Sequence, residues 1–270
     1  MDAIGVFDSG IGGLSVLRHI HASLPNERLL YFADSGFAPY GDKTEDVIVA
    51  RSLAIAAFLV EQRIKALVVA CNTATAAAIA ALRERYPSLT LVGVEPGLKP
   101  AAASSASGIV GVLGTARTLS SAKFAALHAQ ISAATGVRFI AQPCVGLADQ
   151  IEKGELRSAA TALLVRRYVE PLLAQGADTL VLGCTHYAFV QPLIEEVVRR
   201  MTSRQVTIVD TGEPVTRQLA RLLEARGLLC PASSGSSIAA FTTGHENSLM
   251  HAFSTLLKLQ PAIARIDAQK

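Results

Sequence analysis

Short apolar runs that break off into glycine or small polar residues, each followed by a helical pattern, dominate the first third of this chain. Ile4-Gly5-Val6-Phe7 meets Asp8-Ser9-Gly10-Ile11-Gly12-Gly13, after which Leu14, Leu17 and Ile20 recur at helical spacing. Leu29 to Ala33 ends in Asp34-Ser35-Gly36 and a loop with Pro39-Tyr40-Gly41, and Val47 to Ile64 has the composition of a long helix. Leu67 to Ala70 meets Cys71-Asn72-Thr73 ahead of an alanine-rich helix from Thr75 to Arg85, and Leu91-Val92-Gly93-Val94 supplies a fourth strand. Alternation of this kind predicts an α/β fold with mainly parallel sheets covered by helices. Ligands of such sheets bind beyond the carboxyl ends of the strands, where all these polar motifs fall.

The pattern then starts again. Gly111-Val112-Leu113-Gly114-Thr115 stands where Gly5 to Ser9 stood, Phe139 to Pro143 where Tyr31 to Ser35 stood, and Leu180-Val181-Leu182-Gly183-Cys184 where the Cys71 run stood. From the first glycine to the cysteine is 66 residues in one half (5 to 71) and 73 in the other (111 to 184). The spacing predicts two similar domains related by a pseudo-two-fold axis, with the active site between them. A strand at Val206 to Val209 follows, and a helix at Pro214 to Arg226, a strand at Ile238 to Gly244 and a helix at Ser248 to Leu259 are expected to complete the first domain. That domain is then 1–97 plus 210–270, and the second is 98–209. The Ala- and Ser-rich stretch at 100–107 joins the halves, and Ser233 to Ser237 reads as a surface loop.

Half of the residues are hydrophobic, enough for a sizeable core. The 25 basic and 22 acidic side chains form no block of one sign, which speaks against a nucleic-acid partner. No apolar stretch reaches the roughly 18 residues of a membrane span, and Met1-Asp2-Ala3-Ile4 lacks the features of a signal peptide, so a cytoplasmic protein is expected. Cys71, Cys144, Cys184 and Cys230 lie far apart, with neither a disulfide framework nor a metal-binding C-x-x-C spacing, so they are expected as thiols.

A cysteine after a strand is often a small buried hydrophobe. Here two occupy equivalent places, followed by Asn72-Thr73 and Thr185-His186 and each ahead of a helix whose amides would favour a thiolate. Two thiols on opposite faces of one carbon suit inversion of a stereocentre: one removes a proton and the other delivers one to the far face. A reference pKa of about 8.5 leaves both forms of a thiol accessible near neutrality. No pyridoxal-lysine motif is recognisable, so the carbanion would depend on donors such as Asn72, Thr73 and Thr185.

In four motifs the chain resembles the cofactor-independent aspartate/glutamate racemase family, and within it the glutamate racemases: Asp8-Ser9-Gly10-Ile11-Gly12-Gly13, Pro39-Tyr40-Gly41, Ala70-Cys71-Asn72-Thr73-Ala74 and Gly183-Cys184-Thr185-His186-Tyr187. They stand in the family's order, and the similarity runs from Gly5 to Thr243-Gly244. The resemblance implies interconversion of L- and D-glutamate, supplying D-glutamate for peptidoglycan, by a homodimer without cofactor or metal. Cys71 would act on the D-enantiomer and Cys184 on the L-enantiomer, with Asp8 helping Cys71, and His186, backed by Glu152, helping Cys184. Ser9, Pro39, Tyr40 and Gly41 would line the substrate pocket, and Thr115 and Thr118 would contact a carboxylate.

Each helper also has a structural use: Asp8 as a helix cap, His186 as a buried imidazole, Glu152 as a solvated helix residue, the hydroxyls as turn or cap groups. Two positions depart from the family pattern. Ala188 replaces the usual proline after Tyr187, and Gln142 stands where a cysteine is common before Pro143. Cys144 and Cys230, without polar neighbours in sequence, read as structural. The Gly10-Ile11-Gly12-Gly13 loop fails as a dinucleotide fingerprint because Ser15 replaces the third glycine. A racemase for aspartate or another small amino acid, a non-enzymatic small-molecule binder and a thiol–disulfide exchanger are the other readings, the last two disfavoured by paired but distant thiols. With no extension ahead of the first strand, activity is expected to show little or no dependence on a UDP-muramyl precursor, which assays with and without it will check.

Overall fold

The computed structural model describes residues 2–231 and 237–267, so the serine-rich surface loop expected at 233–237 lies outside the described residues except for Ser237. The chain divides into two compact units, Met1–Val94 with Gly212–Lys270, and Glu95–Thr211.

The first unit begins β1 (Ala3–Asp8), α1 (Leu14–Ser23), β2 (Arg28–Ala33), a 3-10 turn at Tyr40–Asp42, α2 (Glu45–Glu61), β3 (Ile64–Val69), α3 (Asn72–Arg85) and β4 (Thr90–Gly93). The second contains α4 (Leu98–Ser104), β5 (Ile109–Gly114), α5 (Ala116–Ser120), α6 (Ala122–Thr135), β6 (Arg138–Pro143), α7 (Leu147–Glu152) and α8 (Ala159–Ala174). It closes with β7 (Thr179–Gly183), a 3-10 turn at Thr185–Val190, α9 (Gln191–Met201) and β8 (Thr207–Val209). The chain then returns to the first unit with α10 (Gly212–Ala225), β9 (Ser237–Thr242), α11 (Glu246–Ala252), a π-helical turn and β10 (Ala262–Arg265).

Both sheets are parallel throughout, in the orders β10-β9-β2-β1-β3-β4 and β6-β5-β7-β8. The neighbours β2-β1-β3-β4 and β6-β5-β7-β8 follow one plan, with β5, β6 and β7 in the places of β1, β2 and β3. Strand periodicity assigns the core. In the second unit Val110, Val112 and Val181 face an apolar cluster with Phe124 and Ile131 of α6. Leu113, Leu180 and Leu182 face the opposite cluster with Val165 and Leu172 of α8. Alternate residues thus point to opposite helix layers, which is why these strands read as unbroken apolar runs.

The helix expected over Val47 to Ile64 stops at Glu61, because Arg63 takes a left-handed φ of 61° and Ile64 opens β3. β10 was not anticipated from sequence, and only one of its four residues is even half-buried. Among the described residues, no helix is long and apolar enough to cross a membrane.

A buried ion pair ties the start of β3 to the turn before β2, and both its members also bond the segment after α10. Lys65 Nζ lies 2.6 Å from Glu27 Oε2 and donates to Leu228 O, and the Cys230 amide donates to Glu27 Oε1. Lys65 Nζ also sits 3.2 Å from Cys230 Sγ, so Cys230 has polar company that sequence reasoning did not give it. Removing one partner of a buried pair strands the other charge. Glu27→Ala is expected to destabilise the protein by about 3–5 kcal/mol, read as a lower urea midpoint.

Candidate active site

β1, β2 and β3 run side by side, so the residues just past their carboxyl ends emerge together: Asp8-Ser9, Asp34-Ser35 and Cys71-Asn72. Cys71 is the N-cap of α3, and its sulfur accepts from the Ala74 amide at 3.4 Å. Ser9 Oγ is 3.7 Å from the same sulfur. The thiol therefore faces a helix N-terminus, whose partial positive charge favours a thiolate.

Asp8 is fully buried and does not cap α1, whose N-cap is Gly13 without a side-chain bond. Its Oδ1 accepts from the Gly10 amide at 2.7 Å, which folds the glycine loop around the carboxylate. Gly13 is needed here: a Cβ on it would stand 2.7 Å from Asp8 Cβ and 3.1 Å from Ala70 Cβ. Thus Asp8 packs through Gly13 against the residue preceding Cys71.

Asn72 and Thr73 are buried in the first turn of α3. Neither Nδ2 nor Oδ1 of Asn72 has a hydrogen-bond partner among the described residues. An unpaired buried amide costs about 1–3 kcal/mol, which a ligand offering both a donor and an acceptor would offset. Pro39 and Gly41 are half-buried on the loop after β2, with Tyr40 buried between them. The Tyr40 hydroxyl donates to Asp34 Oδ2 at 2.6 Å. Burial first, then the Asp34 charge, push its pKa far up, so the phenol keeps its proton. Asp34 and its other partners, Arg51 and Thr243, are site neighbours that sequence reasoning missed.

In the second unit β7 delivers Cys184, followed by Thr185 and His186, all buried. The helix expected directly after Cys184 is a 3-10 turn, with α9 starting only at Gln191, and the Cys184 side chain makes no cap bond. Its support is a side-chain relay instead. Cys184 Sγ is 3.7 Å from His186 Nδ1, and His186 Nε2 is 2.7 Å from Oε2 of Glu152, which ends α7 half-buried. Burial works against charge on His186, but the hydrogen bonds to Cys184 and Glu152 and their negative charge outweigh it and raise its pKa well above the usual 6.5. The imidazolium then donates from both ring nitrogens, one to sulfur and one to carboxylate.

Thr115, after β5, caps α5: its Oγ1 accepts from the Thr118 amide at 3.2 Å and donates to Thr118 Oγ1 at 2.9 Å. Thr118 is buried and Thr115 half-buried. Cys144, after β6, is buried, donates to Gln142 O, and has its pKa raised chiefly by burial.

Because the His186 pKa is raised on folding, the stability it contributes is fully present below the unfolded value of about 6.5 and is lost as pH climbs through the folded value. Nitrogen-15 NMR of the imidazole is expected to place the His186 titration above that of a free imidazole, and Glu152→Gln, which removes one of the raising partners, is expected to lower it.

Residues 4–225 match the family model described as Asp/Glu/Hydantoin racemase. The chain is 58% identical over 226 residues to a glutamate racemase of Ectopseudomonas mendocina, covering 84% of each. It superposes on a glutamate racemase isoform of Bacillus anthracis with a TM-score of 0.86 at 34% identity, over 98% of this chain and 97% of the other. The Escherichia coli glutamate racemase, solved with L-glutamate and the activator UDP-MurNAc-Ala, gives 0.83 at 30% identity over 100% of both chains. With four-fifths of its length inside the family model and a deliberate pair of supported thiols at its strand ends, the chain belongs to the Asp/Glu/Hydantoin racemase family.

Proposed function

We propose that this chain is a cofactor-independent glutamate racemase, in which the Cys71 thiolate takes the α-proton of D-glutamate and the Cys184 thiol delivers a proton to the opposite face. The L-to-D direction exchanges the roles, so no net proton is consumed. The observation that carries this reading is that β3 and β7, the strands equated by the repeat, each end in a buried thiol with dedicated polar support.

The two supports differ, as the two thiols' duties do. Ser9 and the α3 amides stabilise sulfur charge at Cys71, while His186, held by Glu152, places a cation beside Cys184 and can return a proton to it. Asp8 braces the loop that carries Ser9. The amide of Asn72 and the hydroxyls of Thr73 and Thr185 are donors for the α-carboxylate, where charge develops as the α-proton leaves. Ser9, Pro39, Tyr40, Gly41, Thr115 and Thr118 complete the binding surface in this reading. The product D-glutamate would enter peptidoglycan synthesis in the cytoplasm, and the working form is a homodimer.

Deuterium incorporation at the α-carbon in heavy water, starting from L- and from D-glutamate, tests the reading. Wild type should exchange both enantiomers. Cys71→Ser and Cys184→Ser should each lose racemisation by about 10²–10⁴-fold, the usual worth of a general acid–base group, with unequal defects for the two starting enantiomers. Wild-type rates in both variants would overturn the two-thiol mechanism, and a clear preference for aspartate would overturn the substrate.

A further inference from the structure

The apolar face of α2 contains a charge. Its buried positions are Ile48, Arg51, Ser52, Ile55, Ala56 and Leu59, so a guanidinium occupies the stripe that packs on the sheet. Arg51 donates from Nε to Asp34 Oδ2 at 3.0 Å and from Nη2 to Asp34 Oδ1 at 2.8 Å, a two-pronged pair with a fully buried carboxylate. Thr243, just past β9, donates to Asp34 Oδ1 at 2.8 Å, and Tyr40 to Oδ2. The same cluster grips the loop at other points. Arg51 Cζ lies 3.8 Å from the centroid of the Phe37 ring, and Thr243 Oγ1 accepts from the Gly36 amide at 3.0 Å.

Asp34, Gly36, Phe37 and Tyr40, four residues of a seven-residue turn (34 to 40), are thereby fixed to α2 and β9. A buried ion pair is a poor source of stability, since apolar residues of the same volume hold a core as well or better. What a planar guanidinium fork supplies and an apolar side chain cannot is direction, because it locks a carboxylate in one orientation.

We propose that Arg51 is a positioning residue for the racemase reaction: with Thr243 it orients Asp34, and through Asp34 and Phe37 it sets the Pro39-Tyr40-Gly41 turn against the substrate. This rests on the reading of Tyr40 and Gly41 as substrate-binding. Arg51 touches no reacting atom; its effect passes through the turn, so it falls on substrate binding and not on proton transfer.

Steady-state kinetics of Arg51→Met, Arg51→Lys and Thr243→Val with L- and D-glutamate test this. For Arg51→Met, KM is expected to rise about tenfold in both directions with kcat within about twofold of wild type, the pattern of lost uniform binding. Arg51→Lys, which keeps the charge without the fork, should recover part of the KM. Thr243→Val, which removes one donor, should raise KM about threefold under the same pattern. A merely structural role would lower the folded fraction and so lower kcat with KM unchanged; that result, or wild-type kinetics, overturns the proposal. If Arg51→Met does not fold, Thr243→Val decides on the same criterion, an unchanged KM overturning it. A wild-type enzyme that leaves both glutamate enantiomers unconverted would instead overturn the function on which the proposal rests.

Discussion

The hydrogen-bonded ladder along both edges of β1 is the constraint on which the first unit's site depends. Phe7 pairs with Phe32 of β2 and with Val69 of β3, so three parallel strands reach their carboxyl ends in step. The ladder continues one residue past the strands: the Asp34 amide donates to Asp8 O and the Ala70 amide to Phe7 O. Asp8, Asp34 and Cys71 are therefore neighbours by backbone geometry alone, before any side chain interacts. The core fixes the ladder in turn, because β1 is buried along its whole length and a slip of one residue would reverse the faces of all its side chains.

The two thiols sit on one topological plan yet have different electrostatics. Cys71 leans on a backbone amide at the start of α3 and on the Ser9 hydroxyl. Cys184 leans on an imidazole and a carboxylate, a support whose charge depends on pH. The difference follows from local sequence. Asn72-Thr73-Ala74 opens an α-helix at once, whereas Thr185 to Val190 winds as a 3-10 turn and holds α9 away from the sulfur.

Much of the architecture was legible because parallel strands buried on both faces give apolar runs that end abruptly, and the site motifs sit at those ends. β10 was not, since a four-residue edge strand with mostly exposed side chains has no alternating pattern to read. The α2 boundary was missed because a left-handed Arg63 is an unusual break that composition does not announce. Cys71, Cys184, Asp8 and His186 stand in the quoted motifs, whereas Glu152 was named only through the family resemblance. The Asp34–Arg51–Thr243 cluster could not be named, because its members lie on three separate elements. A signal was nevertheless present: Arg51 stands three residues after Ile48 and four before Ile55, on the apolar side of the helix, where an arginine needs a buried partner.

The bond between Thr243 and Asp34 joins residues 209 apart in sequence. A chain leaving the ribosome has Arg51, Phe37 and Tyr40 available early, but β9 and Thr243 follow only after the entire second unit has been made. The nascent first unit therefore exposes the edge of β2 and holds Asp34 by an incomplete set of donors while the second unit is synthesised. Such long-range closure is slow because its entropy must be lost before the contact is gained. The loop bearing Tyr40 is thus finished by residues translated only after the whole second unit, so the half-site that is begun first waits longest for its final donor.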